Sequence, residues 1–183
     1  QLFLDMGSIV VGLDKSKNKI KNNKFFFFNV DISDEKKINK ILEFVLKKFK
    51  KIDVIINNAG ISYFNKFEKR TKKELNFTFN TTMVGTINIC KNYLNLHKKL
   101  RLKKCSIINI GSIYGSLSPD FRIYDKSDNI NSEIYGATKA GIIQFTKYFS
   151  VYGAKYNINV NCLSPGGVLN PIKIQKRKFI KKY

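Results

Sequence analysis

Short runs of β-branched and aromatic residues alternate along the chain with longer segments whose apolar positions recur every three to four residues. The short runs predict strands near Ser8–Leu13, Phe25–Val30, Ile52–Asn57, Ser106–Ile110 and Asn157–Leu163, since such runs bounded by polar turns suit strands buried in a sheet. Between the second and third, Ser33-Asp34-Glu35 opens a predicted helix to about Lys50, with Ile38, Ile41, Leu42, Val45, Leu46 and Phe49 on its apolar stripe. Thr71, followed three residues later by Glu74, is a capping box that starts a second long helix to about His97. A third helix begins near Ile134 and ends around Gly153. A helix between two strands returns the chain to the same end of the sheet, so the strands are expected to be parallel, in a doubly wound α/β/α arrangement. No repeat or low-complexity linker divides the chain, and residues 1–183 are expected to form a single domain.

Composition narrows the class. At 43% hydrophobic and 13% aromatic, the chain is globular rather than disordered. Its formal charge of +21 suggests phosphate backbones as partners. However, the basic residues are 30 Lys against 4 Arg, spread along the whole chain beside 20 Asn. Arg is the residue suited to bidentate phosphate and base recognition, so a solvated lysine-rich surface is the better account and no nucleic-acid partner is expected. Cys90, Cys105 and Cys162 are far apart in apolar stretches, without metal-ligand spacing, and read as core thiols of a reducing compartment. No apolar run reaches the length of a membrane span, so a cytoplasmic location and no membrane partner are expected. His97, beside Lys98 and Lys99, is expected to be exposed.

Polar residues then concentrate at strand ends. Asp14 ends the first strand, where a carboxylate accepts both hydroxyls of an adenosine ribose and repels a 2′-phosphate, favouring NAD over NADP. Asp31-Ile32 follows the second strand; the carboxylate can bond an adenine amino group and the aliphatic side chain can pack on the ring, although an aspartate also suits an ordinary strand-to-helix turn. Asn57-Asn58-Ala59-Gly60 closes the third strand, with small residues that let a ligand approach the backbone and asparagines that tie strands together. Ser112 follows the fourth. Tyr135 and Lys139 are four apart on the third helix and project from one face. That spacing alone also describes a half-buried tyrosine beside a solvated lysine. The segment 117–132 follows neither period and is expected to be an ordered loop between Ser112 and Tyr135; substrate contact and a functionless surface excursion both fit it.

In this order the motifs resemble the short-chain dehydrogenase/reductase family: Asn57–Gly60, Ser112, Tyr135 with Lys139, and Pro165-Gly166. The resemblance covers essentially the whole chain and implies a Rossmann-like fold and hydride transfer between a nicotinamide and a carbonyl or secondary alcohol. It implies that Tyr135 is the general acid or base, that Lys139 favours the phenolate of a group whose free pKa is ~10, and that Ser112 donates a hydrogen bond to the substrate oxygen. It places Asn58, Ala59, Gly60, Pro165, Gly166 and Val168 against the cofactor, together with Tyr135 and Lys139. Asn80 is the expected fourth catalytic member, although the family most often has that asparagine three residues before a small residue, a place held here by Thr82. The usual threonine shortly after Val168 is replaced, with Asn170 nearby.

The insert and Ser164-Pro165-Gly166-Gly167 are most similar to oxidoreductases of nonulosonic-acid pathways such as legionaminic acid synthesis, which act on sugars or sugar phosphates. A 3-oxoacyl-carrier-protein reductase is the alternative, as is a non-catalytic nucleotide-binding protein. The family's glycine-rich turn and first strand are not found, and its closing helix and strand are expected beyond Tyr183. These 183 residues alone are therefore expected to be poorly soluble or inactive. A homodimer or tetramer is implied, with Gly136, Ala137, Ala140 and Gly141 permitting close helix contact, although the same residues equally suit packing on the sheet.

Overall fold

The computed structural model describes residues 1–64, 66–124 and 130–168; Asp125, Asp128, Asn129 and Asn170 lie outside them. In chain order the elements are α1 (Leu2–Asp5), β1 (Val10–Asp14), β2 (Phe25–Asn29), α2 (Glu35–Phe49), β3 (Val54–Asn57), α3 (Lys72–Phe79), a π turn (Asn80–Val84), α4 (Gly85–Lys99), β4 (Cys105–Ile110), α5 (Glu133–Ala154) and β5 (Ile158–Leu163). Every strand pairing is parallel, in two separate sheets ordered β1-β2 and β3-β4-β5. The predicted strands are all present, with ends shifted by no more than two residues. The chain packs as two compact units, residues 1–52 with 84–102 and residues 53–83 with 103 onward.

In the first unit, Asp34 caps α2 by accepting from the Lys37 amide, and Ile38, Leu42, Val45 and Leu46 are buried on one face. Phe26 and Phe28 of β2 meet Phe49 and Phe44 of α2 edge to face, with ring centroids 5.2 and 5.7 Å apart. Helix α4 packs on α2, and its Ile89, Cys90, Tyr93 and Leu94 are buried. His97 is not exposed as expected: it is 3% exposed, with Nδ1 3.3 Å from the Tyr93 hydroxyl. Its i, i+4 relation to Tyr93 puts it on the buried face, while Lys98 and Lys99 turn outward.

In the second unit, β3, β4 and β5 run in register from Val54↔Ser106 to Asn57↔Asn109 and from Cys105↔Ile158 to Ile110↔Leu163. Helix α5 lies on this sheet with Ile142, Thr146 and Phe149 buried. The capping box forms as predicted: Thr71 accepts from the Glu74 amide while the Glu74 carboxylate accepts from the Thr71 amide. The run it starts is not one continuous α-helix, because Asn80–Val84 adopts a π turn. Adjacent Asn80, Thr81 and Thr82 are weak helix formers, and a π turn widens the helix locally by one residue.

Candidate active site

The strand ends of the second unit are joined by a buried polar chain. The Asn57 Nδ2 donates to Asn109 Oδ1 at 2.8 Å, Asn109 Nδ2 donates to Thr146 Oγ1 at 2.9 Å, and Thr146 Oγ1 donates to the Ile142 carbonyl at 2.7 Å. Asn109 is fully buried. This ties β3, β4 and α5 together, at Thr146, about two turns beyond Lys139. Just past it, Asn58, Ala59 and Gly60 leave β3 as exposed or half-buried backbone.

Ser112 is buried, and its Oγ accepts from the Tyr114 amide at 3.2 Å, leaving its own proton available to an oxygen acceptor. Two backbone bonds hold this loop to the segment after β5: Gly111 N to Leu163 O at 2.8 Å and Ile113 N to Pro165 O at 3.1 Å. Pro165, Gly166 and Val168 thus follow directly from the β5 end, with Val168 exposed.

Helix α5 presents Tyr135 and Lys139. Ser132 caps it by accepting from the Tyr135 amide at 3.3 Å. A Cβ at Gly115 would lie 2.8 Å from the Lys139 carbonyl carbon and 2.9 Å from the Ala140 nitrogen, and one at Gly136 would lie 2.9 Å from the Tyr114 carbonyl oxygen. Only glycine permits the Ser112 loop and the helix to meet at this distance. Lys139 is buried, donates to the Ile110 carbonyl at 2.6 Å, and places its Nζ 5.7 Å from the Tyr135 ring centre. Burial pushes the Lys139 ammonium below the usual lysine range, and electrostatic attraction to Cys162 opposes this in part.

Gly60 faces the same ammonium. A Cβ there would stand 3.5 Å from Lys139 Nζ and 3.6 Å from Thr82 Oγ1, so both groups border one small space. Thr82 is 1% exposed. Asn80, the expected fourth catalytic member, is exposed at the first position of the π turn. Two positions of helix rotate a side chain by about half a turn, so Asn80 and Thr82 face opposite ways.

In the first unit, Asp14 stands at the exposed end of β1 and accepts from the Ser16 amide at 2.7 Å. Asp31 accepts from the Ser33 amide and hydroxyl at 2.9 and 2.7 Å and from Lys15 Nζ at 2.8 Å. Ile32 is not open for a ring to pack on: it is buried, its side chain occupying the space beside Gly85, where a Cβ would come within 2.5 Å. An isoleucine entering a helix from a strand end is captured by the core when the facing helix offers a glycine.

Sequence reasoning missed Arg70 and Glu133. Arg70, one of four arginines in the chain, is 3% exposed in its side chain. Its Nε donates to Glu133 at 2.9 Å and its Nη2 to the Tyr63 carbonyl at 3.4 Å, fastening the loop after Gly60 to the first residue of α5. Ser62 joins the same junction by donating to Asn131 at 3.2 Å. The only signal for this pair was an arginine retained in a lysine-rich chain. The insert is an ordered loop where described, with Asp120 capping a 3-10 turn, Phe121–Ile123, and Tyr124 bonded to Tyr114 at 3.1 Å between hydroxyls. With Phe67, Tyr114, Asn131, Ser132 and Gly136 it borders a cleft of about 460 Å³.

Among the described residues no helix is long and apolar enough to cross a membrane. No group of three or more His, Cys, Asp or Glu is placed to hold a metal ion there.

The second unit thus combines parallel strands, a serine after β4 and a tyrosine–lysine pair on the following helix. The profile of the short chain dehydrogenases matches residues 6–181, and the chain belongs to that family. A 3-oxoacyl-[acyl-carrier-protein] reductase of Thermotoga maritima is 27% identical over 180 residues, covering 93% of this chain and 68% of that protein. The crystal structure of a short chain dehydrogenase from Leptospira borgpetersenii with bound NAD+ superposes with a TM-score of 0.89 at 38% identity, covering 100% of this chain and 69% of that one. ElxO with NADP bound superposes with a TM-score of 0.66 at 31% identity, covering 78% and 53%. The chain therefore spans between about half and about two thirds of the length of these relatives.

Proposed function

We propose that this chain carries the catalytic machinery of an NAD-linked oxidoreductase that moves a hydride between a nicotinamide and a carbonyl or secondary alcohol. The observation that carries this is the buried Lys139 ammonium, anchored on the Ile110 carbonyl beside Tyr135, on a helix in backbone contact with the Ser112 loop. The nicotinamide, when bound, supplies or takes up the hydride. In reduction, the Tyr135 hydroxyl gives its proton to the substrate oxygen, and Ser112 Oγ–H donates to that oxygen as negative charge grows there. Lys139 stabilises the charge left on the tyrosine oxygen; in oxidation each proton moves the opposite way. Thr82, rather than Asn80, stands at the space beside Gly60 through which Lys139 meets water.

For the cofactor, exposed backbone at Asn58, Ala59, Gly60, Pro165, Gly166 and Val168 fits a ligand approaching main chain. Asp14 suits the ribose hydroxyls and Asp31 the adenine amino group, with Ile32 bracing Asp31 from the core. Asp14 supports NAD over NADP; among the similar structures the Leptospira dehydrogenase holds NAD+ and ElxO holds NADP, so this preference rests on Asp14 alone. For the substrate, aromatic Phe67 and Phe121 with polar Asn131 and Ser132 around one cleft fit a sugar or sugar phosphate. The likeness to the Thermotoga reductase supports a 3-oxoacyl thioester as the second reading. Exposed Ala137, Ala140, Tyr148 and Val151, spread along α5, suit contact with a second copy.

The test is Tyr135→Phe in the whole protein. Turnover should fall roughly 10²–10⁴-fold while dinucleotide affinity stays within about twofold; unchanged turnover refutes the assignment.

A further inference from the structure

The end of β1 carries two opposite instructions. Asp14 suits a free adenosine ribose, whereas the adjacent Lys15 would pair with a 2′-phosphate on that ribose. The structure shows how the two are separated. Asn29, at the end of β2, donates through Nδ2 to the carbonyl of Lys15 at 2.8 Å and reaches those of Asp14 and Ser16 at 3.3 and 3.4 Å, pinning the turn. The Ser16 amide holds Asp14 Oδ1 at 2.7 Å. From this fixed turn the Lys15 side chain runs across to Asp31 Oδ2 at 2.8 Å, while Asp31 Oδ1 is held by Ser33.

We propose that Asp31 latches Lys15 away from the ribose position beside Asp14, which makes the Lys15–Asp31 pair a determinant of the choice between NAD and NADP. The inference rests on the dinucleotide reading above and deepens it. Partial burial raises the Asp31 carboxyl, but the hydrogen bonds from Lys15 and Ser33 outweigh it and hold it at about 2, so the latch stays charged at neutral pH. The Lys15 and Asp31 side chains are 49% and 33% exposed. A pair this open is worth a few-fold in an equilibrium, and releasing it should shift cofactor choice by roughly three- to fivefold.

The experiment compares binding of adenosine 2′,5′-bisphosphate and adenosine 5′-phosphate by calorimetry in the whole protein, alongside kcat/KM for NADPH and NADH. Asp31→Asn should raise the bisphosphate-to-monophosphate affinity ratio about three- to fivefold, with the NADPH-to-NADH ratio following. Loss of an adenine contact at Asp31 lowers both affinities alike and leaves the ratio untouched. Adding Lys15→Ala to Asp31→Asn should return the ratio to the wild-type value, and Asp31→Ser repeats the test with a smaller side chain. The latch is overturned if the ratio does not move, or if the gain survives in the double variant. Failure of the wild type to bind either nucleotide or NADH removes the dinucleotide reading itself, and the latch with it.

Discussion

Both units end their parallel strands in a cluster of asparagine, aspartate and hydroxyl side chains, but the two clusters are built differently. In the second unit Asn57, Asn109 and Thr146 are buried and bonded to one another and to backbone, without a charge among them. In the first, Asp14, Lys15, Asn29 and Asp31 are largely exposed and rely on an ion pair. Buried neutral bonds fix a position because each unmade bond costs the desolvation of its group. Exposed ion pairs hold weakly and exchange readily with solvent or a ligand. The second cluster suits holding a helix in place for proton transfer; the first suits discrimination among ligands.

The contrast can be broken by substitution. The largest stability effect is expected at Asn109→Ala, which removes the buried bonds that Asn57 and Thr146 make to it. It should lower unfolding free energy by about 2–3 kcal/mol, read from the urea midpoint at constant slope; a loss near that of a surface substitution would contradict the anchoring role.

Next, Thr82→Val keeps shape but removes the hydroxyl beside Lys139, and should lower kcat about tenfold, with Asn80→Ala several-fold less harmful. Equal losses in the two variants would mean that burial does not decide which residue serves Lys139.

The smallest effect is expected at Asp31, through pH. The folded carboxyl sits at about 2 against an ordinary 3.8. Its contribution is therefore complete above pH 3.8 and lost as the pH falls toward 2. Wild type and Asp31→Asn should differ in melting temperature by a degree or two at pH 6 and converge at about pH 2, a comparison that thermal denaturation can follow.

Much of this molecule is legible in its sequence. Strands with continuous apolar runs, such as Ser106–Ile110, and the stripe from Ile38 to Phe49 speak through periodicity, which burial enforces directly. The candidate site spoke through the small residues closing β3, Ala59 and Gly60, and through the Tyr135–Lys139 spacing. What stayed hidden depends on which way a side chain turns. Asn80 and Thr82 are both polar and two residues apart, and a π turn has no periodic signature to say which faces inward. Ile32 could have covered a ligand as well as a core until Gly85 was found opposite it. His97 is framed by lysines in sequence, yet its burial follows from Tyr93 one turn away. Arg70 and Glu133 are 63 residues apart, a separation across which no local pattern operates.

The contact of Gly115 and Gly136 with facing backbone has a consequence for how this sequence can change over generations. The spacing between the serine loop and the tyrosine helix is set by main chain against main chain, and so does not depend on any particular side chain nearby. Exposed lysines and asparagines can accumulate over the outside of this lysine- and asparagine-rich chain without moving those two segments. A single methyl group added at Gly115 would do what that accumulated surface change does not, by pushing the two catalytic segments apart.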